Sequence, residues 1–428
     1  MNGPGYKWVL VALLFVVGAL NYCDRTAIAS VLPLIRSDLK LSDSQLGAIG
    51  SSFLWAYAIA SPFGGMLADR RSRSRVIVWS LVAWSLITLA TGFVTNAWQL
   101  ISTRVLLGFV EAAYLPAAMA LIADHHPSSS RATAIGLHSA GLAIGIVAGG
   151  LGAAYIGKQW GWPCAFYFLG GAGLVLAVIV NFLLHDGAAG GSAVRSEPQA
   201  PAAVNSLVML ARIPSFVIIL LTCMALAVAN NIFVNWLPLY FYETHQMSLP
   251  HAAFVGTFMI QSASMIAFLT GGMFSDKFAR RTPMRLMLIQ VVTGMIAPPF
   301  LFAFLAPKSD LILLYCCIFL FSFFQHFGDT SMRSLVCDLL TSKLRSTAFG
   351  LMNAASCLSG GFAVILAGFL KAEIGLAGIF TGTSGMTLFS AILMLIGYLF
   401  FLRRDLDRRA VAAEADRKGL GALPDNRP

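Results

Sequence analysis

The chain has 428 residues, 58% of them hydrophobic and only 11% charged, with a mean hydropathy of +0.78. A water-soluble chain carries about 25% charged residues, so composition excludes a soluble globular protein. The net charge of +10 would suggest a nucleic-acid partner in a soluble protein. Here the excess sits in short loops and the tail, which is a mark of membrane topology, and no nucleic acid is expected.

Apolar stretches fall at about 8–33, 45–68, 76–96, 98–124, 132–156, 163–184, 214–242, 251–275, 284–306, 310–338, 346–370 and 376–402. Each is long enough to cross a bilayer, which takes about 20 residues. The predicted fold is an all-α membrane protein of twelve transmembrane helices, spans 1–12, six on each side of a polar segment. That segment, 185–213, is rich in Gly, Ala, Ser and Pro and reads as a flexible cytoplasmic linker, with room for a short amphipathic helix before Pro214. The predicted domains are a first six-helix bundle (1–184), the linker, a second bundle (214–402) and a solvated cytoplasmic tail (403–428). The first apolar run has no small-residue cleavage site, so no removable signal is expected.

Basic residues follow the even-numbered spans. Arg70, Arg71, Arg73 and Arg75 come after span 2, Arg131 after span 4, and Lys277, Arg280, Arg281 and Arg285 after span 8. Lys343 and Arg345 follow span 10, and Arg403 and Arg404 follow span 12. The positive-inside rule then places both termini in the cytoplasm of a multi-pass protein in a bacterial inner membrane. The loop Arg36–Lys40 is an exception, its charge offset by Asp38 and Asp43. The seven cysteines form no CxxC pair and no metal-ligand spacing, so neither disulfides nor any metal or cofactor is expected.

Span 1 is interrupted at Asn21-Tyr22-Cys23-Asp24-Arg25. An ionised side chain at bilayer depth costs about 2.5–3.5 kcal/mol, so such residues face a water-filled cavity or partners on other helices. The pair either locks helices together or forms a site for a proton and an anion. Span 4 adds Arg104 and Glu111, two turns apart on one helical face. Two acids and two bases make an internally compensated site. A guanidinium fork binds a carboxylate through two parallel bonds, which suits Arg25 rather than a lysine to an anionic ligand. In the second half, Asn231 and Asn235 share a face of span 7, and Gln261, Gln325 and Asn353 lie deep in spans 8, 10 and 11. Amides both donate and accept, as sugar hydroxyls require, and they equally bind membrane helices to one another. His326 and Asp329 read as helix packing rather than proton carriers. The glycines of 145–152 read as a close-packing surface and not as a nucleotide loop.

The chain also repeats itself. Residues 64–75 read GGMLADRRSRSR and residues 271–282 read GGMFSDKFARRT; Arg131-Ala-Thr-Ala-Ile-Gly136 is echoed by Arg345-Ser-Thr-Ala-Phe-Gly350. The halves are therefore parallel repeats, the arrangement of transporters with a site between them. The run Gly65-Met66-Leu67-Ala68-Asp69-Arg70 with Arg71, Arg73 and Arg75 resembles the loop 2–3 signature of the major facilitator superfamily. Ser72 stands where that pattern has a second glycine. The resemblance covers the whole membrane region and implies that Gly65, Asp69, Arg70 and Arg73, with Asp276, Lys277 and Arg280 in the second copy, form paired gating loops. In this reading Gly65 permits close helix approach.

The Asn21-Tyr22-x-Asp24-Arg25 stretch, the Arg104, Gly108 and Glu111-Ala112 of span 4, and Phe53-Leu-Trp55-Ala-Tyr57 resemble the anion:cation symporter branch. That branch moves organic anions such as sugar acids with protons. The resemblance implies that Arg25 binds the substrate carboxylate, that Asp24 and Glu111 carry protons, and that Arg104 tunes them. Tyr22 and Tyr57 would line the site, with Asn231, Asn235, Gln261 and Asn353 contributing from the second half. The expected partners are a small organic anion, protons and the lipid bilayer, with the chain acting as a monomer. Asp24-Arg25, the Glu111-Ala112 pair and Ile122-Ala-Asp124-His-His-Pro127 are also similar to spinster-like lipid or lysolipid transporters. Such a carrier requires an apolar lateral cleft, whereas amides at span centres favour a hydrophilic solute. Multidrug efflux fits less well, because arginines inside the membrane repel cationic drugs. No nucleophile with its base, metal cluster or nucleotide motif points to an enzyme, and paired gating loops argue against a channel or a sensor.

Overall fold

The computed structural model describes residues 5–126, 128–186, 203–279, 284–305, 310–340 and 342–408. Among them there is no strand, and eleven helices are long and apolar enough to cross a membrane. Span 1 is Tyr6–Leu39, span 2 Asp43–Arg70, span 3 Arg73–Thr91, span 5 Ser128–Trp160 and span 6 Trp162–Leu183. Span 7 is Pro214–Thr244, span 8 Leu249–Ala279 and span 10 Leu311–Leu339, with the short helix Ala203–Ala211 ahead of span 7. Spans 11 and 12 lie in one run, Ser342–Phe400, turned at Gly375, whose φ of +67° suits a residue without Cβ. Counting that run twice gives the twelve spans.

Two spans are less regular than the sequence suggests, and proline explains both. Span 4 divides into Ala97–Glu111 and Tyr114–His125. Pro116 lacks an N–H and its ring crowds the carbonyl of residue 112, so the helix breaks directly after Glu111. Span 9 starts as Met284–Ile296 and tightens into a 3-10 helix, Pro298–Leu305, at its paired prolines. Span 2 begins with a capping box, Ser42 and Gln45 satisfying each other's backbone N–H groups.

Between membrane helices close packing replaces the hydrophobic drive, so small residues set the contacts. Gly141, Gly145 and Gly149, one turn apart on span 5, face the backbone of span 1 at Phe15, Ala19 and Cys23. A Cβ at Gly141 would lie 2.6 Å from the Phe15 carbonyl oxygen. Cys23 Sγ donates to the Gly145 carbonyl at 3.2 Å. This stripe fixes the rotation of span 1 and thereby aims Asp24 and Arg25.

Among the described residues, the buried side chains form a large core and a small cluster (Ala154, Leu249 and Ala253) shared by both halves, and two cores each within one half. At the end away from the basic loops, Ile28, Leu32 and Trp162 of the first half pack with Phe233, Trp236, Tyr240, Phe304 and Phe380 of the second. At the basic-loop end, Leu10, Leu14, Ile77, Trp84 and Leu121 form one cluster, and Phe216, Ile219, Met287, Leu335 and Leu402 another. The halves meet along spans 2 and 11, 5 and 8, and 1 and 7. The cross-half bonds Arg36–Glu243, Lys371–Asp43 and Trp55 Nε1 to the Leu358 carbonyl lie from mid-span to the end away from the basic loops.

Candidate functional site

Residues three or four apart on a helix share a face, and adjacent residues do not. Asp24 and Arg25 consequently part company. Asp24 turns inward with Asn21, and the two are 2% and 1% exposed. Arg25 turns toward span 4, where its Nε donates to Glu111 Oε2 at 2.6 Å. Glu111 is fully buried, whereas the Arg25 side chain keeps 18% of its surface. Its guanidinium lies 4.6 Å from the Tyr57 ring centroid, 4.8 Å from Tyr22 and 5.1 Å from Phe53. Desolvated contacts of this kind contribute about 2 kcal/mol. The Arg104 guanidinium lies 4.9 Å from the centroid of the same Phe53 ring.

The bond through Nε matters for chemistry. It holds one side of the guanidinium, and the Tyr57 hydroxyl is a further hydrogen-bond neighbour of the same side chain. A guanidinium held in this way through Nε keeps its two-pronged end, the geometry that pairs with a carboxylate.

Around it lies a set of buried polar atoms without hydrogen-bond partners of normal geometry. They are both amide atoms of Asn21, both oxygens of Asp24, Nε of Arg104, Oε1 of Glu111 and Oγ1 of Thr88. Native proteins satisfy more than about 90% of such groups, so seven such atoms in one place are notable. Asp24 is electrostatically coupled to Glu111, Arg104 and Arg25, with the Thr88 hydroxyl beside it, and Glu111 is coupled to Arg25 and Arg104, with the Asn21 amide beside it. With both acids ionised the four charges cancel. Arg104 forms no ion pair within 4 Å among the described residues.

The second-half amides are placed differently. Asn231 donates to the Ala227 carbonyl and Asn235 to the Asn231 carbonyl, each at 2.9 Å on its own helix. Asn231 packs on Gly360, and Asn235 fits against Gly50 across the halves. Gln261 is half-buried and Asn353 exposed. Gln325 is buried and donates to the Leu226 carbonyl at 3.1 Å. His326 contacts Ser264 and the Ser322 carbonyl.

In the first gating loop, Arg73 pairs with Asp124 at the end of span 4. The close approach assigned to Gly65 is corrected. A Cβ there would meet nothing within 4 Å, whereas one at Gly64 would lie 2.6 Å from the Ala112 carbonyl oxygen. Gly64 faces the break in span 4, and the second repeat agrees, with Gly271 against Phe327. Lys277 is exposed. The side chains of Asp69, Arg70 and Asp276, and residue Arg280, lie outside the described residues.

Two residues of the site, Thr88 and Cys357, escaped the sequence reading, and Phe53 entered it only as part of the run to Tyr57, with no role assigned. Thr88 was signalled only as a hydroxyl in an apolar run. Cys357, from span 11, is the second-half residue coupled to both Arg25 and Tyr57.

A lateral groove of about 520 Å³ runs between spans 2, 4 and 11. Trp55, Ile59, Trp98, Ile101, Phe109 and Phe369 line it.

The family model described as Major Facilitator Superfamily matches residues 14–297 and 272–424. An MFS-type efflux pump of Mycolicibacterium smegmatis is 29% identical over 320 residues, 73% of this chain and 73% of the pump. A hexuronate transporter of Bacillus subtilis is 25% identical over 409 residues, 90% of this chain and 93% of that protein. Among solved structures, the bacterial homologue of the human lysosomal transporter Spinster, inward-facing and unoccupied, superposes with a TM-score of 0.77. It is 20% identical and covers 94% of this chain and 98% of its own, a likeness of fold.

Proposed function

We propose that this chain, which belongs to the Major Facilitator Superfamily, carries a small organic anion together with protons by alternating access. It is a membrane transporter and not an enzyme; the substrate class and the proton coupling are the proposal. The observation that carries it is the Arg25 guanidinium. It is anchored through Nε to Glu111, flanked by three rings, and keeps 18% of its side-chain surface open.

In this reading a substrate carboxylate, such as that of a sugar acid, seats on the Arg25 fork beside Tyr22 and Tyr57. Glu111 and Asp24 take and release protons, and Arg104 holds the balance of charge. The coupling follows from electrostatics. An anion on Arg25 adds negative charge beside two carboxylates, and a proton on either removes it. Each load therefore favours the other, and the effect is reciprocal. Asn231, Asn235, Gln261 and Asn353 supply hydroxyl-binding amides, Asn353 being the most open of them. The loops around Gly65, Asp69, Arg70 and Arg73, and around Asp276, Lys277 and Arg280, latch the cytoplasmic ends. With the positive-inside assignment both termini are cytoplasmic in an inner membrane, and the cross-half ion pairs at the opposite end fit an inward-facing state. The bundles are 1–184 and 214–402, joined by 185–213.

A second reading rests on the lateral groove, whose apolar lining suits an acyl chain and would make the substrate a lysolipid. The experiment that separates them uses the purified protein in liposomes with an entrapped pH dye and a panel of sugar acids and other carboxylates. Acidification of the lumen on adding one acid, absent in Glu111→Gln and in Arg25→Ala, is the expected result. No proton movement with any acid, together with lysolipid transfer between vesicles, replaces the anion reading with the lipid one.

A further inference from the structure

At the end away from the basic loops, four charged side chains close a ring across the two halves. Arg36 ends span 1 and Asp43 begins span 2; Glu243 ends span 7 and Lys371 lies near the end of span 11. Two pairs cross between halves: Arg36 to Glu243 at 2.7 Å and Lys371 to Asp43 at 3.0 Å. Two pairs stay within a half: Arg36 to Asp43 at 3.3 Å and Lys371 to Glu243 at 2.9 Å. Each half contributes one acid and one base. The repeat that aligns Gly65 with Gly272 also aligns Arg36 with Glu243, charge inverted. Below the ring lies the shared apolar core, with Leu32, Ile49 and Trp236 buried.

This arrangement has a property that a lone cross-half salt bridge lacks. When the outer ends part, a lone bridge leaves two unpaired charges at a partly dry surface, which is costly. Here only the crossing pairs break. Arg36 retains Asp43, and Lys371 retains Glu243, so each half separates as a neutral pair.

We propose that Arg36, Asp43, Glu243 and Lys371 are an outer latch that opens by exchanging cross-half ion pairs for the pairs already present within each half. The latch is independent of which substrate the protein carries, and its test uses no substrate.

The test replaces Ile49, which is 0% exposed beneath the ring, by cysteine in a full-length chain freed of its seven native cysteines. A membrane-impermeant maleimide added outside reports opening through the labelling rate. Glu243→Gln removes a crossing pair and should speed labelling about fivefold, the size of one partly exposed pair. The double variant Arg36→Glu with Glu243→Arg rebuilds a crossing pair but sets like charges together within each half. Opening then has no exchange to make, and labelling should fall below the parent rate. Adding Asp43→Lys and Lys371→Glu restores both sets of pairs and should restore the parent rate. Unchanged labelling in Glu243→Gln overturns the latch. A double variant labelling at the parent rate overturns the exchange and leaves a simple clasp. A variant that is not monodisperse is replaced by Lys371→Gln, which removes the other crossing pair and carries the same expectation as Glu243→Gln.

Discussion

Glu111→Gln puts the proposed coupling under the hardest test, because the change keeps the shape of the side chain and removes only its charge. In the native site two acids face two bases; the variant leaves one acid with two bases and releases the Arg25 Nε from a charge-assisted bond of 2.6 Å. A carboxylate seated on the Arg25 fork would lie about 6 Å from the deleted charge, and at an effective dielectric of about 20 two unit charges at that distance interact by about 2.8 kcal/mol. The Arg25 side chain keeps 18% of its surface, so solvent screens part of this. Halving the figure leaves about 1.4 kcal/mol, or tenfold in affinity. The variant should therefore bind the anion about tenfold more tightly at neutral pH. It should also lose the share of the pH dependence that Glu111 supplies, leaving only that of Asp24, since position 111 is permanently in the state that a proton creates in the native protein, whose affinity rises as pH falls. Equilibrium binding to purified protein across a pH series measures both. Uptake driven by a pH gradient should vanish while exchange of substrate across the membrane persists. Weaker binding in the variant, or native pH dependence retained, refutes the assignment of Glu111 as the linked proton site.

Arg25→Lys keeps the charge but not the planar fork or its ring contacts, and should weaken binding by about 1.5–3 kcal/mol in the same assay, with an unchanged elution profile on gel filtration. Phe53→Leu removes the ring shared by Arg25 and Arg104 and should cost about 0.5–2 kcal/mol of affinity, measured against Phe53→Tyr, which keeps the ring. Gly64→Ala places a methyl group against the Ala112 carbonyl and should destabilise the fold by about 1–3 kcal/mol, whereas Gly65→Ala has open space and should leave the Tm unchanged.

The span count and the repeat were legible because both depend on runs of residues rather than on any one of them. The site was half legible. Charges inside an apolar run announce themselves, and so Asp24, Arg25, Arg104 and Glu111 were found together. Which acid takes which base was not legible, because neighbours in sequence point about 100° apart on a helix. Arg25 reaches past Asp24 to span 4, across a contact set by the glycines of span 5. Cys357 was silent, and Phe53 had no assigned role, for the opposite reason: an apolar residue in an apolar span carries no signal until its neighbour is known to be a guanidinium. The outer ring was visible only as an irregularity, since Arg36 and Asp43 depart from the charge rule for their loop and their cross-half partners lie 207 and 328 residues away.

The repeat also explains why Asp24 stands without a hydrogen bond. The alignment that pairs Gly65 with Gly272 sets Asn231 at the place of Asp24, and the one that pairs Arg131 with Arg345 sets Gln325 at the place of Glu111. The second half thus carries the amide of each acid in the first. Asn231 uses its N–H to reach the carbonyl one turn back, at 2.9 Å, and Gln325 reaches the Leu226 carbonyl. An ionised carboxylate in the same position has no donor to offer and is left unpartnered, as both oxygens of Asp24 are. A proton supplies the missing donor, so the neutral form of Asp24 is the one the helix can satisfy. Asp24→Asn should then behave as Asn231 does. It should gain one hydrogen bond, worth about 1 kcal/mol, and raise the Tm by about 2–4 °C while abolishing proton movement through this residue. A lower Tm would mean that Asp24 is held as an anion by Arg104 and that the unpartnered oxygens are part of an ion pair rather than a proton site.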